Sequence, residues 1–151
     1  MLVGIISDTH GLLRTEAVAA LRGVGHILHA GDVGDAAILD QLGQIAPVTA
    51  IRGNIDWGGR CGGLPETELV ELAGRQIYML HDRNALDLNP VAAGIAAVIS
   101  GHSHEPAIEW QKGVLYFNPG SAGPRRFSLP VSLGMLEIAE EELRPRLVTL
   151  K

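Results

Sequence analysis

The sequence predicts an α/β fold in which the N-terminal part of the chain forms a parallel β-sheet and the rest forms antiparallel hairpins. In the first third of the chain, short aliphatic runs alternate with helical patterns, which is the βαβαβ order of a parallel sheet covered by helices. From Glu68 onward the aliphatic runs are separated by short turns, as in hairpins. The 151 residues, 46% hydrophobic and 19% charged, are enough for one globular domain. We therefore expect a single domain over residues 1–151, without a cap domain.

Five segments form the predicted parallel half. Three are short aliphatic runs, which favour strands, and two carry apolar residues at helical spacing. In chain order they are the strand "LVGII", the helix "TEAVAALRGVG", the strand "HILHA", the helix "DAAILDQLGQIA" and the strand "VTAI". We expect both helices to pack on the sheet that the strands form.

The remainder of the chain predicts hairpins. One turns at Ala73-Gly74, another at Lys112-Gly113, and "VSLGMLEIAEEELRPRLVTL" closes the chain as a third. Between the first two hairpins, "PVAAGIAAVIS" predicts a short helix followed by a buried strand.

Charge and cysteine content exclude several classes of function. The formal net charge of −5, without a cluster of Lys or Arg, argues against nucleic-acid binding and against an anionic membrane surface. The single cysteine, Cys61, excludes an internal disulfide and fits a reducing compartment. The apolar start "MLVGIIS" lacks the basic region of a signal peptide, and no apolar stretch is long enough to span a membrane. We expect a cytoplasmic protein.

Metal-binding side chains follow five of the apolar runs. They are Asp8 and His10, then Asp32, Asn54, His81, and finally His102 and His104. Open α/β sheets collect ligand sites at the carboxyl ends of their strands, so these seven side chains are expected at one rim. The other two histidines, His26 and His29, are expected in the core or at its edge. His29 lies three residues before Asp32 and is a candidate for supporting that ligand.

The donor types indicate the metal. Carboxylate, imidazole and amide donors without thiolate suit Mn²⁺, Fe, Zn²⁺ or Ni²⁺ better than Ca²⁺ or a structural zinc. In an extended segment residues i and i+2 point the same way, so Asp8 and His10 are expected to bind one ion together. With its two oxygens, Asp32 is suited to bridging two ions. Seven ligands, one of them shared, would give each of two ions four positions.

The ordered motifs "SDTHG", "AGDVGD", "RGNID", "LHD", "SGHSH" and "FNPGS" resemble those of the calcineurin-like metallophosphoesterase superfamily, and most closely its small bacterial and archaeal phosphodiesterases. The resemblance runs from Val3 to about Gly134. It implies a four-layer αββα sandwich with two mixed β-sheets and a dinuclear metal site at one edge.

The resemblance also implies roles for single residues. A hydroxide bridging two divalent ions, preferably Mn²⁺, would attack phosphorus. Glycines beside the ligands would allow sharp turns or close approach, and Asn118–Ser121 would support the site structurally. The first ion would be held by Asp8, His10, Asp32 and His104, the second by Asp32, Asn54, His81 and His102, with Asn54 and His102 also acting in catalysis; the glycines are Gly11, Gly31, Gly53 and Gly101.

Two positions depart from the family pattern. Ile55 stands where many relatives carry a histidine that protonates the leaving oxygen, so help for poor leaving groups is expected to be weak. Asp82 follows His81 where relatives have glycine. Asp56 either orients water in catalysis or supports a turn. Arg52 and Arg83 are expected to form surface ion pairs, with phosphate contact as the alternative.

The predicted activity is metal-dependent phosphodiester hydrolysis of a small phosphate ester. Two divalent ions, two aspartates and one hydroxide leave about one positive charge, which a diester monoanion neutralises and a monoester dianion exceeds. A monoesterase of the same mechanism and a protein-binding scaffold of the same fold are the alternatives. Edge strands of the sandwich offer a surface for a homo-oligomer, although nothing in the sequence requires one.

Overall fold

Residues 1–150, which the computed structural model describes, form ten β-strands, three α-helices and one 3₁₀ helix. The strands are β1 (Leu2–Ile6), β2 (His26–His29), β3 (Val48–Ala50), β4 (Thr67–Leu72), β5 (Arg75–Leu80), β6 (Ile95–Ile99), β7 (Ala107–Gln111), β8 (Val114–Asn118), β9 (Ser132–Ile138) and β10 (Leu143–Thr149). The helices are α1 (Thr15–Leu21), α2 (Ala37–Gly43), α3 (Gly59–Gly62) and the 3₁₀ helix Arg83–Ala85.

The first sheet has the order β10-β9-β1-β2-β3. Strands β1, β2 and β3 are parallel, with α1 and α2 in the crossovers, so the predicted βαβαβ order is confirmed. Strand β9 pairs antiparallel with both β1 and β10, which confirms the closing hairpin.

The second sheet has the order β4-β5-β6-β8-β7. Its three central strands are parallel, while β4 and β7 pair antiparallel at the edges. The turns between β4 and β5 and between β7 and β8 are two-residue turns at Ala73-Gly74 and Lys112-Gly113, as predicted. All four residues have positive φ, which is the type I′ geometry that matches the twist of paired strands.

The two sheets pack face to face around the main core, which includes Val3, Ile5, Ile77, Ile99 and Phe117. Alternation along β1 points Ile6 to the other face, where it joins residues of α1 and α2 in a second core. In the described part of the chain, the outer face of the second sheet is not covered by α-helices as that of the first sheet is. Its smaller cluster is packed against Leu86 and Leu88, so the 3₁₀ helix and the loop after it form this layer.

The short helix predicted in "PVAAGIAAVIS" is wrong, because residues 90–94 form a turn. The Asn89 side chain accepts hydrogen bonds from the N–H groups of Val91 and Ala92, which starts the turn. Gly94 then adopts a φ of 73° and β6 begins at the next residue, which leaves no room for a helix. Within residues 1–150, no helix combines the length and apolarity needed to cross a membrane.

Candidate metal centre

The predicted ligands follow the carboxyl ends of five parallel strands, but these strands belong to two sheets. Strands β1, β2 and β3 of the first sheet lead to Asp8 and His10, Asp32 and Asn54. Strands β5 and β6 of the second sheet lead to His81, His102 and His104. The rim predicted for one sheet is therefore shared by two sheets that meet at this edge.

Backbone hydrogen bonds hold the ligand loops to one another. The N–H of Asp8 donates to the carbonyl of Gly31 over 3.0 Å, and the N–H of His10 donates to that of Asp32 over 2.9 Å. In the second sheet, Gly101 donates to the carbonyl of His81 over 2.9 Å. The loops are thus positioned by the backbone before any side chain binds a metal.

Each of the two buried aspartates has one oxygen committed to the protein and one left for another partner. Oδ2 of Asp8 accepts hydrogen bonds from Ser7 Oγ at 2.7 Å and from the backbone N–H of His102 at 3.1 Å. Oδ1 of Asp32 accepts from the N–H of Ile55 at 3.0 Å. The other oxygens, Asp8 Oδ1 and Asp32 Oδ2, face the histidines.

Three imidazoles converge on these two oxygens. Asp8 Oδ1 lies 3.8, 3.7 and 3.5 Å from the Nε2 atoms of His10, His81 and His104. Asp32 Oδ2 lies 3.4 Å from Nε2 of His10 and 3.2 Å from Nε2 of His81. Two overlapping groups of potential metal ligands result, Asp8-His10-His104 and Asp8-Asp32-His81.

The donors fit divalent metal ions because their buried polar atoms lack other partners. Four buried side-chain atoms find no hydrogen-bond partner among residues 1–150: Asp8 Oδ1, His10 Nε2, His81 Nε2 and His104 Nδ1. Unsatisfied buried polar atoms are costly, and here they come from the same few side chains. Carboxylate and imidazole donors together suit first-row divalent ions.

The ring of His81 is oriented for coordination. Its Nδ1 donates to the carbonyl of Ala30 at 2.7 Å, which leaves the lone pair of Nε2 directed towards the aspartates. Burial alone would lower the pKa of His81, but the Asp32 and Asp8 carboxylates together with the Ala30 carbonyl raise it above its usual value. The negative surroundings that favour a proton on this ring would also favour a bound cation.

His104 behaves oppositely, because burial outweighs the Asp8 carboxylate and lowers its pKa. The pKa of Asp32 is lowered: burial would raise it, but the nearby His81 imidazole and the hydrogen bond from the Ile55 N–H outweigh burial. The lowered pKa of His104 favours the neutral imidazole that a metal requires.

Asn54 and His102 lie at the exposed side of the site. Nδ1 of His102 lies 3.2 Å from Oδ1 of Asn54, and the rings of His81 and His102 pack edge to face with centroids 5.2 Å apart. The His102 side chain is 45% exposed, whereas that of His81 is 8% exposed. Five predicted ligands thus form a cluster in which only His10 is partly exposed, and the remaining two form an open pair beside it.

Comparison with known proteins shows which family this chain belongs to. The model of the calcineurin-like phosphoesterase superfamily domain matches residues 1–141. The chain belongs to this superfamily. A probable metallophosphoesterase of Methanocaldococcus jannaschii is 35% identical over 164 residues, which cover 100% of this chain and 82% of that protein.

Solved structures confirm the calcineurin-like phosphoesterase fold. An archaeal phosphodiesterase superposes with a TM-score of 0.81 at 24% identity, covering 98% of this chain and 100% of its own. Zinc-bound Vps29 from Entamoeba histolytica superposes with a TM-score of 0.75 at 24% identity, covering 99% of each chain. At this identity both likenesses establish the fold alone, and the two mixed sheets predicted from the resemblance are confirmed.

In this calcineurin-like phosphoesterase the ligand loops are sharply bent, so the prediction that Asp8 and His10 lie on an extended segment is wrong. Eight non-glycine residues among residues 1–150 have positive φ, and five of them are predicted ligands: Asp8 (55°), His10 (46°), Asp32 (55°), His102 (72°) and His104 (63°). Such conformations are costly and concentrate at functional sites. Asp8 and His10 nevertheless face one ligand group, because the intervening Thr9 turns inward and donates to the carbonyl of Val33 at 2.8 Å.

The glycines predicted beside the ligands permit close approach. A Cβ atom on Gly53 would overlap the Asp32 carboxylate, and one on Gly101 would overlap Ser7 and the Asp8 carboxylate. Gly31 and Gly11 have φ of 101° and 82°. Any larger residue at Gly53 or Gly101 would displace a ligand.

Asp56, for which the sequence left a catalytic role and a turn role open, makes the contacts expected of the turn role. Its Oδ2 accepts from the N–H groups of Val33 at 3.0 Å and Gly53 at 2.9 Å, and its Oδ1 accepts from Gly34 at 3.1 Å. The side chain is buried. With its oxygens bonded to three backbone donors, the carboxylate ties the Asp32 loop to the Asn54 loop, which is the turn role that the sequence left open.

Both ring nitrogens of His29 bind protein groups, so His29 supports the loops that carry Asp8 and Asp32 rather than a metal. It is fully buried; its Nδ1 accepts from the N–H of Gly31 at 3.1 Å and its Nε2 lies 3.0 Å from Thr9 Oγ1. Burial is the main cause that lowers the pKa of His29 to about 4. The supporting role considered from its spacing to Asp32 agrees with these contacts, whereas His26 bonds Thr49 at 2.8 Å.

The two positions that depart from the family pattern, Ile55 and Asp82, lie on the exposed side of the site, near Asn54 and His102. Ile55 is 38% exposed and contributes its backbone N–H to Asp32. Asp82 faces Nε2 of His102 at 3.9 Å and caps the 3₁₀ helix through Asn84. The ion pairs predicted for the two arginines are confirmed, with glutamates as partners: Arg52 binds Glu66 and Arg83 binds Glu109.

Sequence reasoning missed two groups of residues around the site. Ser7 binds the Asp8 carboxylate, a role signalled only by its position beside the ligand. Arg125 and Arg126 line a cavity together with His10 and His104, about twenty residues beyond the last ligand in the chain. No motif marked these arginines. Asn118, by contrast, has the predicted structural role, because its amide donates to the carbonyl of Gly101 at 3.0 Å.

Proposed function

We propose that the protein is a phosphodiesterase that uses two divalent metal ions, preferably Mn²⁺, to hydrolyse small phosphate esters. The observation that carries this proposal is the convergence of two carboxylates and three imidazoles in two overlapping ligand groups, in which Asp8 Oδ1, His10 Nε2 and His81 Nε2 lack a hydrogen-bond partner among residues 1–150. Family membership supports phosphate-ester hydrolysis, and the donor types favour Mn²⁺, Fe, Zn²⁺ or Ni²⁺.

The chain supplies ligands for both ions. Asp8, His10, Asp32 and His104 would hold the first, while Asp32, Asn54, His81 and His102 would hold the second. When bound, the ions supply Lewis acidity to the phosphoryl oxygens and activate water for attack at neutral pH. Oδ1 of Asp32 accepts a hydrogen bond from the Ile55 N–H, so Oδ2, which faces the histidines, is the oxygen that would be most readily available to a metal.

Besides binding metal, these side chains orient one another and the substrate phosphate. The Ala30 carbonyl fixes the ring of His81, and the Asn54 amide oxygen lies within hydrogen-bond distance of Nδ1 of His102. His102 is the most exposed imidazole of the set and lines two of the cavities at the site, so we place it against the substrate phosphate. Its orientation by Asn54 gives both residues a part in catalysis.

A diester is the preferred substrate because it carries one negative charge at the reacting phosphorus. Two ions with the Asp8 and Asp32 carboxylates and one hydroxide retain about one positive charge, which a diester monoanion neutralises. The Asp82 carboxylate, 3.9 Å from His102, repels any additional negative charge that a substrate brings to the His102 side of the site.

The experiment is hydrolysis of bis-p-nitrophenyl phosphate and p-nitrophenyl phosphate with Mn²⁺ and after chelation. We expect chelator-sensitive turnover that is faster on the diester. The His102→Ala variant should lose roughly a hundredfold in rate, by the scale of lost electrostatic and orienting groups. His26→Ala is the matched control, since His26 begins β2 and bonds Thr49 away from the site, and it should keep its rate.

Other results would point to the alternatives. Faster hydrolysis of the monoester would identify a phosphomonoesterase of the same mechanism. A folded, metal-loaded protein without turnover of either ester would contradict the enzyme and favour a protein-binding scaffold.

A further inference from the structure

We propose that Arg125 and Arg126 bind a second anionic group of the substrate, so that the preferred phosphodiester carries a second phosphate. This inference rests on the proposed phosphodiesterase function and deepens it. It comes from three observations: where the two arginines lie, what they lack as partners, and what charge surrounds the rest of the site.

Both arginines border the metal centre directly. They line a cavity of about 200 Å³ whose other walls are His10, His104 and Pro124. Because His10 and His104 share a ligand group with Asp8, this cavity opens onto the site on the side of the first ion. A substrate whose phosphorus lies at the metals can extend a substituent into it.

Neither guanidinium forms an ion pair or a side-chain hydrogen bond with residues 1–150, whereas the arginines that line the other two cavities at the site are paired with glutamates. Arg52 is paired with Glu66 and Arg83 with Glu109. Both members of the 125–126 pair are exposed in consecutive positions. Two adjacent, unneutralised guanidinium groups favour a phosphate group, which they can bind through bidentate, charge-assisted hydrogen bonds.

The other two cavities at the site have the opposite charge. The cavity of about 240 Å³ on one side of His102 has Asp82 and Glu105 against the single guanidinium of Arg83. The cavity of about 590 Å³ on the other side has three carboxylates, those of Glu66, Asp82 and Asp87, against that of Arg52. A second phosphate would be repelled from both, so this asymmetry directs it to the arginine side.

The segment before the arginines is anchored to the first ligand loop. Ser121 Oγ donates to the carbonyl of Asp8 at 2.9 Å, and the N–H of Ala122 donates to that of Ser7 at 3.1 Å. The carbonyl of Gly123 accepts from Nε of Arg14 at 3.1 Å. The backbone that leads into Arg125 and Arg126 is therefore held in register with the metal ligands.

The test compares two substrates with the same scissile bond. Thymidine 5′-(p-nitrophenyl phosphate) carries one phosphate, and its 3′-phosphorylated analogue carries a second. In both, water adds across the phosphorus–aryl oxygen bond and releases p-nitrophenol. For the Mn²⁺-loaded protein we expect kcat/KM to favour the analogue by about tenfold, the scale of a charge-assisted contact, and the preference should shrink as salt is raised.

The variants separate charge from structure. In Arg125→Gln/Arg126→Gln the preference should fall to about one, with the loss larger on the doubly charged substrate. The Arg125→Lys/Arg126→Lys variant keeps both positive charges and should keep most of the preference for the doubly charged substrate. Arg146→Gln is the matched control, because Arg146 is an exposed arginine on edge strand β10 and lines none of the three cavities. It should leave the preference unchanged.

A binding measurement gives a readout independent of turnover. Calorimetry with thymidine 3′,5′-bisphosphate and thymidine 5′-phosphate should show tighter binding of the bisphosphate in the wild type and equal binding in the glutamine double variant. Equal losses on both substrates, or no preference in a wild type that hydrolyses bis-p-nitrophenyl phosphate, would overturn this inference alone. Absence of all hydrolysis would overturn the proposed function, while the binding difference would still decide the role of the arginines.

Discussion

The Nε2 atom of His81 lies 3.7 Å from Oδ1 of Asp8, although the two residues follow strands of different sheets. Asp8 follows β1, at the centre of the first sheet, and His81 follows β5 of the second. A further link between the sheets is the backbone N–H of His102, which donates to Oδ2 of Asp8. The metal centre therefore exists only when the two sheets are packed, so metal binding and folding are thermodynamically linked.

Proton competition at His81 predicts how metal affinity depends on pH. Its pKa is raised, so protons compete with a metal for this ring more strongly than for an ordinary histidine. Apparent Mn²⁺ affinity should fall by roughly tenfold or more per pH unit below neutrality, as expected for at least one displaced proton. Titration calorimetry with Mn²⁺ at about pH 7.5, 6.5 and 5.5 measures this pH dependence. Metal retention that stays flat to about pH 5 would contradict it.

Removing the Asp56 carboxylate should destabilise the protein without changing its chemistry. Asp56→Ala leaves the N–H groups of Val33, Gly34 and Gly53 without their acceptor, at a cost of about 2–4 kcal/mol in the free energy of unfolding. Urea unfolding measures this cost. The pH–rate profile, normalised to bound metal, should keep its shape because Asp56 transfers no proton.

Asp40→Ala is the control for Asp56→Ala, since Asp40 is exposed and bonds only Arg60. It should change stability by less than about 1 kcal/mol. Should Asp56→Ala abolish turnover while its unfolding free energy stays at the wild-type value, the catalytic role would be supported and the positioning role rejected.

Ile55 predicts a strong dependence on the leaving group. Because isoleucine donates no proton, the wild type should hydrolyse bis-p-nitrophenyl phosphate much faster than diethyl phosphate. Ile55→His should raise ethanol release from diethyl phosphate by about 10–100-fold, the range of general acid catalysis. Ile55 reaches Asp32 through its backbone N–H, so the substitution leaves that contact in place. Ile55→Gln is the non-titrating control, and equal wild-type rates on both esters would refute the prediction.

The buried imidazole of His29 predicts acid sensitivity of folding. Its folded pKa of about 4 lies below the usual 6.5, so the unfolded chain binds the proton more tightly and stability is lost as pH falls from 6.5 towards 4. The loss should reach about 1.4 kcal/mol by about pH 5.5 and about 2.5 kcal/mol by about pH 4.5. Urea unfolding of chelator-treated protein at these pH values measures it.

His29→Gln should flatten this pH dependence by removing the titrating ring, whatever its effect at neutral pH. His26→Gln is the matched control, because His26 is only partly buried and burial lowers its pKa less. It should leave most of the slope in place. An unchanged slope in His29→Gln would assign the acid sensitivity to other groups.

Local patterns were sufficient for most of the secondary structure. The two-residue turns at Ala73-Gly74 and Lys112-Gly113 followed from short-range backbone preferences, and the βαβαβ order followed from periodicity. The helix predicted before β6 failed because Asn89 and Gly94 favour a turn and the strand begins at once. Periodicity does not register such caps.

The sequence alone determined which donor atoms the protein offers to a metal, because strand ends and ligand types are local properties. The tertiary structure decided that these strand ends lie in two sheets, that Asp56 is occupied by three backbone donors, and that Arg125 and Arg126 face His10 and His104. These relationships join residues far apart in the chain. They depend on how the sheets pack, and packing is set by the whole core rather than by any single segment.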